Sequence, residues 1–427
     1  MSEKIIVAID LGSSRLVAAA AQKDDNQKIT IVDLCEKATP KNCIRRGVVC
    51  NIEKIANEIV LLLKKLQTSI ANKLNDSNIV IKSFYYAVNG HSLRSESFSK
   101  NIAIKSIITA NTLKEIEKQI ITDLQSENIF QELQTSEGLF DAAQFEDFEK
   151  ISILHRLISN GFNLDGNDFD NVINKRGDIL KVNYLGIRSK STLEEKLKKI
   201  FEKTKNFSAQ KEIALLALAE TFLSDEEKNN NCLLIDFGAN CTSCIAFEKG
   251  KLRDLFVIPF GSQNITKDIS TLYSVSEEKS EVLKINLSLT TNETWKNKTE
   301  ESTISRKQIE NVAMGRLMEI IQLIEGRIGN LELNGGIVLA GGGSKLRCFA
   351  DLLQTKTSAK VRNISFEKFT ETEYSKPENA LIFALLNCGK QNCCEQKEIK
   401  TKDKKKEKNL NNVWNKFGNK FGNMFND

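Results

Sequence analysis

Three scarcities narrow the field before any motif is read. Histidine occurs only at His91 and His155, far apart and with no nucleophile motif beside either, so both are expected to be surface or packing residues. Excess charge of one sign is missing as well. The formal net charge is +5 over 427 residues, and no part of the folded region interleaves basic clusters with aromatics, which argues against nucleic acid as a partner. The start of the chain has no long apolar run, because residues 5–9 meet Asp10 before a signal-peptide core or a membrane span could form. The expectation is a cytosolic chain that opens on a strand.

Cysteine is plentiful, with ten residues, but they are scattered through apolar segments and follow no secreted small-domain framework. Reduced thiols fit that distribution. Cys241 and Cys244 have the spacing of a redox or zinc pair, yet they lie on an alternating strand pattern without a second pair, so buried small hydrophobes are expected. Cys393 and Cys394 are adjacent and sit just before the tail.

With 41% apolar and 27% charged residues, the chain is suited to two or three packed lobes. Apolar runs at 5–9 and 16–21 flank a Gly/Ser turn and read as a hairpin; a strand at 29–35 follows. Apolar residues at helical spacing predict a helix over 52–74, then a strand at 84–88. From about 90 to 180 the texture turns polar and rich in Asn, Asp and Gly, as in an inserted subdomain. A strand at 180–187 and a helix at 193–203 resume the α/β rhythm, and 209–223 reads as a small-residue helix. A second strand-turn-strand from Cys232 to Phe247 echoes the first, suggesting two similar lobes. Further on come a helix through Ile309, Leu317, Ile320 and Ile324, a strand Gly336–Ala340, and a last helix over 377–386 with Pro377 in its first turn.

Three glycine-containing turns each follow a short apolar strand: Asp10-Leu-Gly12-Ser13-Ser14, Asp236-Phe-Gly238-Ala239-Asn240-Cys-Thr242, and Gly341-Gly342-Gly343-Ser344. Small residues let backbone N–H groups approach phosphate oxygens, and an aspartate at a strand end can organise a magnesium ion through its waters. One such turn means little; the order of three carries the signal. That order resembles the actin, Hsp70 and sugar-kinase ATPase superfamily and, within it, the bacterial cell-division FtsA family. The resemblance covers nearly the whole chain. It includes the run from Gly335 to Ser344, Asn89-Gly-His-Ser-Leu93 at the opening of the inserted region, Val257-Ile-Pro-Phe-Gly261, and Ser280-Glu281-Val-Leu-Lys284.

The resemblance implies an α/β, actin-like two-lobed fold with duplicated ribonuclease-H-like cores, an inserted α+β subdomain, and a C-terminal amphipathic helix on a flexible linker. Residues 1–82 with 181–228 and 363–390 would form the first lobe, 83–180 the insert, 229–362 the second lobe, 391–409 the linker and 410–427 the helix. It implies ATP and Mg2+ as ligands. Asp10 would act through a magnesium-bound water, with Gly12, Ser13, Ser14 and Arg15 on one side of the phosphates. Asp236, Gly238, Ala239, Asn240 and Thr242 would stand opposite, Glu281 and Lys284 toward ribose and adenine, and Gly341, Gly342, Gly343 and Ser344 at the adenosine. Arg15 stands where the family usually has lysine, and Asn240-Cys241 where it has Gly-Thr. Residues 217–219 offer no carboxylate to position a water, so no catalytic residue is assigned and nucleotide binding with slow turnover or none is expected.

The end of the chain changes character. Residues 402–408 are mostly lysine and read as a solvated linker. After it, Leu410, Val413, Trp414, Phe417, Phe421, Met424 and Phe425 fall on one helical face, with Asn and Lys on the other, a pattern suited to shallow insertion into an anionic lipid membrane. Gly418 and Gly422 each cost about 1 kcal/mol relative to alanine, so this helix should fold on the membrane. By resemblance the partners are the FtsZ C-terminal peptide at Arg306, Lys307 and Arg316, further copies of the chain, and later membrane proteins of the divisome. The location would be the cytoplasmic face of the membrane. A pilus-assembly adaptor of the same fold is the alternative, and a small-molecule kinase a remoter one.

Overall fold

The computed structural model describes residues 4–24, 28–125, 152–204, 206–289, 304–370 and 372–396. The first hairpin forms as the apolar runs predict: Lys4–Leu11 and Arg15–Lys23 pair antiparallel, with Leu11 opposite Leu16, and close around Gly12, Ser13 and Ser14. Ile29–Ala38 joins on the outer side of the second strand, while Ser83–Val88 and Ser208–Ile213 extend the sheet in parallel beyond the first. Helix Ile52–Lys73 lies against this sheet. The Asn51 side chain caps it by accepting from the Lys54 amide at 3.0 Å, and Ile55, Ile59, Leu62, Leu63, Leu66 and Ile70 are buried along one face.

The second sheet repeats this plan more than two hundred residues later. Lys251–Ile258, Thr242–Glu248 and Cys232–Phe237 run antiparallel, and Gly336–Ala340 and Val361–Asn363 continue in parallel. The echo between the Asp10 and Asp236 hairpins is therefore a shared strand order. Alternation along Cys232–Phe237 decides which core each residue serves. Cys232 and Leu234 join the core shared with the first sheet; Leu233, Ile235 and Phe237 join the core under the helices Ser262–Tyr273, Glu277–Leu289, Arg306–Ile328 and Arg347–Thr357. Two short, almost wholly apolar helices, Ala214–Phe222 and Ala380–Cys388, pack together within the shared core and make it continuous between the lobes.

The insert is a four-stranded antiparallel sheet, ordered Asn167–Phe169, Ser152–Leu164, Ile179–Lys190, Arg94–Ala103, with helix Ala110–Gln125 against it and its own small core. It touches both lobes. His155, whose side chain is fully buried, places Nε2 2.7 Å from the Ser189 hydroxyl and Nδ1 3.2 Å from Glu194 of helix Ser191–Lys203, and is thus a packing residue. Burial and Lys211 push its pKa down to about 4 against the pull of Glu194. On the other side the Ser95 hydroxyl donates to Asp254 of the second sheet at 2.6 Å, and Arg327 pairs with the same carboxylate at 2.8 Å.

Three sequence expectations are corrected. The insert does not run over 83–180: Ser83–Val88 is held in parallel between Lys4–Leu11 and Ser208–Ile213, whereas Ile179–Lys190 pairs along its length with both long strands of the insert. The helix expected over 209–223 begins at Ala214, because residues 208–213 pair with Ser83–Val88 and that sheet contact overrides the helix propensity of Ala, Gln, Lys and Glu. Nor does the chain leave the body at 391. The Asn392 side chain accepts from the Ile5 amide, Cys393 N–H donates to Ile5 O at 2.8 Å, and Cys394–Gln396 pairs antiparallel with Ile79–Ile81. The linker and membrane-helix readings, from Leu410 through Phe425, lie outside the described residues. Among the described residues no helix is long and apolar enough to cross a membrane.

Candidate functional site

A cleft of about 2390 Å³ opens between the two sheets, and the three glycine turns meet on its walls. Sites for small ligands run to about 300–1,000 Å³, so this groove has room beyond a nucleotide. In each turn the carbonyls are tied down. Thr39 donates from its hydroxyl to Gly12 O at 2.7 Å and from its amide to Ser14 O at 3.0 Å. Ser262 N–H and Gln263 N–H donate to Gly238 O and Ala239 O at 2.9 and 2.8 Å. The Ser344 hydroxyl donates to Gly341 O at 2.7 Å.

The amides are different. The N–H groups of Ser13, Ser14, Ala239, Asn240, Gly342 and Gly343 donate to no described residue, and all six residues line the cleft. Backbone donors in such a position need an acceptor, and six of them on three facing turns fit a polyphosphate. Gly341 brings the third turn against the second. Its φ is +81°, and a Cβ there would stand 2.5 Å from Asp236 Oδ1 and 2.6 Å from Phe237 O. No side chain fits that gap.

Asp10 and Asp236 end corresponding strands of the two sheets and both line the cleft. Burial lifts the Asp10 carboxyl to about 6 against the lowering effect of Arg15. Burial, and then Asp10 itself, lift Asp236 to about 7. Two carboxylates that resist ionising together suit a divalent cation, whose charge would keep both ionised. Among the described residues no group of three or more His, Cys, Asp or Glu could hold a metal ion.

The remaining predicted site residues fall into two groups. Lys284 is buried and donates to Glu281 at 2.7 Å, the Thr266 hydroxyl at 2.9 Å and Ser262 O at 3.2 Å; desolvation lowers its pKa and Glu281 partly restores it. Glu281, Lys284 and Ser344 all line the cleft. Arg15 also lines it, with its guanidinium bound to Glu36, Glu378 O and Asn379 Oδ1 at 2.5, 2.6 and 2.7 Å. Thr242 is fully buried and donates to Phe260 O, so it props the second turn from behind, while Cys241 and Ser243 face the cleft. Arg306, Lys307 and Arg316 sit apart on helix Arg306–Ile328. Arg316 binds Asp268 through two nitrogens at 2.8 and 3.0 Å and also pairs with Glu319; Lys307 pairs with Glu310.

Sequence reading missed Thr39, Arg45, Arg46, His91 and Lys345, all on the cleft walls. Lys345 directly follows Ser344 and could have been found there. Thr39 and Arg46 carry no local signal, since sheet pairing and the contact of Arg46 O with the His91 amide bring them in.

Comparison with known proteins gives a consistent answer. The family model for cell division protein FtsA matches residues 233–384, which include the second hairpin and the Gly341 turn. The FtsA of Porphyromonas gingivalis is 25% identical over 381 residues, covering 84% of this chain and 73% of its own length. That of Bacillus subtilis is 22% identical over 402 residues, covering 90% and 84%. Among solved structures, a chain of the PilM-PilN type IV pilus biogenesis complex matches with a TM-score of 0.60 at 16% identity, over 89% of this chain and 97% of that one. Ethanolamine utilization protein EutJ from Carboxydothermus hydrogenoformans follows at 0.50 and 12% identity, over 91% of each. The chain is therefore similar to FtsA proteins along most of its length and shares its fold with the PilM-PilN complex chain and EutJ.

Proposed function

We propose that this protein is an ATP-binding, self-associating adaptor that tethers the tubulin-like division protein FtsZ to the cytoplasmic face of the cell membrane and helps assemble the division machinery. The observation that carries the nucleotide half is the set of six backbone donors, on three turns of one cleft, that pair with no described residue. Ser13 and Ser14 of the first sheet and Ala239 and Asn240 of the second would hold phosphate oxygens, with Asp10 and Asp236 toward a hydrated Mg2+. Glu281, Lys284 and the Gly341–Ser344 turn would take the nucleoside. MgATP would supply a polyanion and a compensating cation to the turns that face each other across the cleft.

The membrane half rests on the sequence of residues 410–425 and on likeness to FtsA. Weak single helices gain affinity when ATP-bound copies associate and present several at once. The test is co-sedimentation with anionic liposomes of the full chain and of a chain ending at Lys408, each with and without MgATP. The full chain should sediment, more so with MgATP, and the shortened chain should stay in solution. Equal sedimentation of the two would remove tail anchoring.

A further inference from the structure

We infer that Cys43 and Cys50 are a reversible thiol–disulfide pair that staples a loop on the wall of the cleft, with a small glutathione-type disulfide as oxidant. The two residues close a miniature hairpin. Ile44–Arg45 and Val48–Val49 pair antiparallel, with Ile44 opposite Val49 and Arg45 opposite Val48. Arg46 and Gly47 between them have φ of +50° and +76°, the signature of a type I′ turn. Just outside this ladder the Cys50 N–H donates to Cys43 O at 2.7 Å, while the Cys43 N–H donates to Pro40 O at 3.0 Å. The single bond between the two cysteines holds their backbones close, a disulfide spans Cα atoms about 4.4–6.8 Å apart, and closing the bridge requires the Cys50 Sγ to leave Val48 O, 3.6 Å away.

The chemistry has an order built in. Both residues are free thiols here, and Cys50 is the one exposed thiol among the ten, whereas Cys43 is buried. The Cys50 thiolate meets the oxidant first: its sulfur forms a bond to one sulfur of RSSR, the S–S bond of the oxidant breaks, and RS⁻ leaves. The Cys43 thiolate then attacks the Cys50 sulfur of that mixed disulfide and expels the second RS⁻. The two thiol protons end on the two leaving thiolates, so two cysteines are oxidised and one RSSR is reduced to two RSH. Other close pairs lack this arrangement. Cys393 and Cys394 are both buried, and Cys244 lies in the second core while Cys241 lines the cleft.

The loop so stapled is part of the cleft. Ile44, Arg45, Arg46, Gly47 and Val49 all line it. Arg46 O accepts from the His91 amide at 3.0 Å, and Gly47 packs so tightly on Gly90 that a Cβ would stand 2.4 Å from the Gly90 Cα. A covalent link at its base restrains this contact between the wall and the entry to the insert.

The full chain is incubated with oxidised glutathione, its remaining thiols are blocked with N-ethylmaleimide in denaturant, and tryptic peptides are weighed. Cleavage after Lys41, Arg45, Arg46 and Lys54 places the cysteines on separate peptides, 42–45 and 47–54, so only a disulfide can hold them together. The expected product is that linked pair, lost on reduction and absent from the Cys50→Ser variant. Native tryptic cleavage at Arg45 and Arg46 should slow by about threefold or more after oxidation, and in Cys50→Ser it should not change. Recovery of the two peptides separately, or a Cys50 that stops at the mixed disulfide, would overturn the pair. An unchanged cleavage rate in the linked protein would overturn the restraint.

Discussion

Gly341 and Gly342 are neighbours in one turn, yet replacing each by alanine should have opposite consequences. At Gly341 the φ of +81° costs an L-residue about 1–2 kcal/mol. The new Cβ would also meet Asp236 Oδ1 at 2.5 Å and Phe237 O at 2.6 Å, and the second contact is with backbone that cannot rotate away. Overpacking of that kind costs about 1–3 kcal/mol, so Gly341→Ala should destabilise the protein by about 2–5 kcal/mol in total. At Gly342 the nearest heavy atom to a Cβ is Glu378 Cβ at 3.6 Å, an ordinary contact, and φ lies outside the left-handed region. Gly342→Ala should change stability by no more than about 0.5 kcal/mol. Urea unfolding followed by far-ultraviolet circular dichroism reads both, and binding of a fluorescent ATP analogue should fall in Gly341→Ala through the displaced Asp236 carboxylate. Equal losses in the two variants, or a larger loss at Gly342, would refute the account of this turn.

Two further predictions use charge. Asp236 has a carboxyl raised from 3.8 to about 7 in the folded protein, so the stability it contributes is full below its unfolded pKa and is lost as pH rises through 7; Asp10, raised to about 6, acts in the same direction. Ligand-free protein should therefore lose thermal stability between about pH 4 and 7, and Asp236→Asn should flatten that slope; a variant with the wild-type slope would count against the burial. For the face that Arg306, Lys307 and Arg316 would offer a peptide partner, Arg316→Glu would leave Asp268 and Glu319 facing a third carboxylate and should cost about 1–3 kcal/mol of stability. Lys307→Glu, at a side chain 77% exposed, should cost no more than about 0.5 kcal/mol, so a drop in its affinity for an FtsZ C-terminal peptide, read by fluorescence anisotropy, reports on binding alone.

What could be read from the sequence followed what is local. The three turns were visible because each glycine directly follows an apolar strand, and helix Arg306–Ile328 because Ile309, Leu317, Ile320, Ile321 and Ile324 recur at its period. Ser208–Ile213 was misread because an edge strand made of Ala, Gln, Lys and Glu shows no clear alternation, and its partner Ser83–Val88 is remote in the chain. The insert boundary failed for the same reason, since only long-range pairing assigns a strand to a sheet. In the site, Asp10 and Asp236 were legible as strand ends. That Arg15 is bound to Glu378 O and Asn379, or that Thr242 turns inward to Phe260 O, depends on contacts that no local pattern encodes.

The docking of residues 392–396 also has a mechanical meaning. Tension applied beyond Gln396 does not act on a loose surface loop. It loads the ribbon with Ile79–Ile81 and the bond from Cys393 to Ile5, and Ile5 lies in the strand that ends at Asp10. A tether pulled from outside would therefore strain the backbone of the first hairpin, and anything that stiffens that hairpin would raise the force at which the tether peels away.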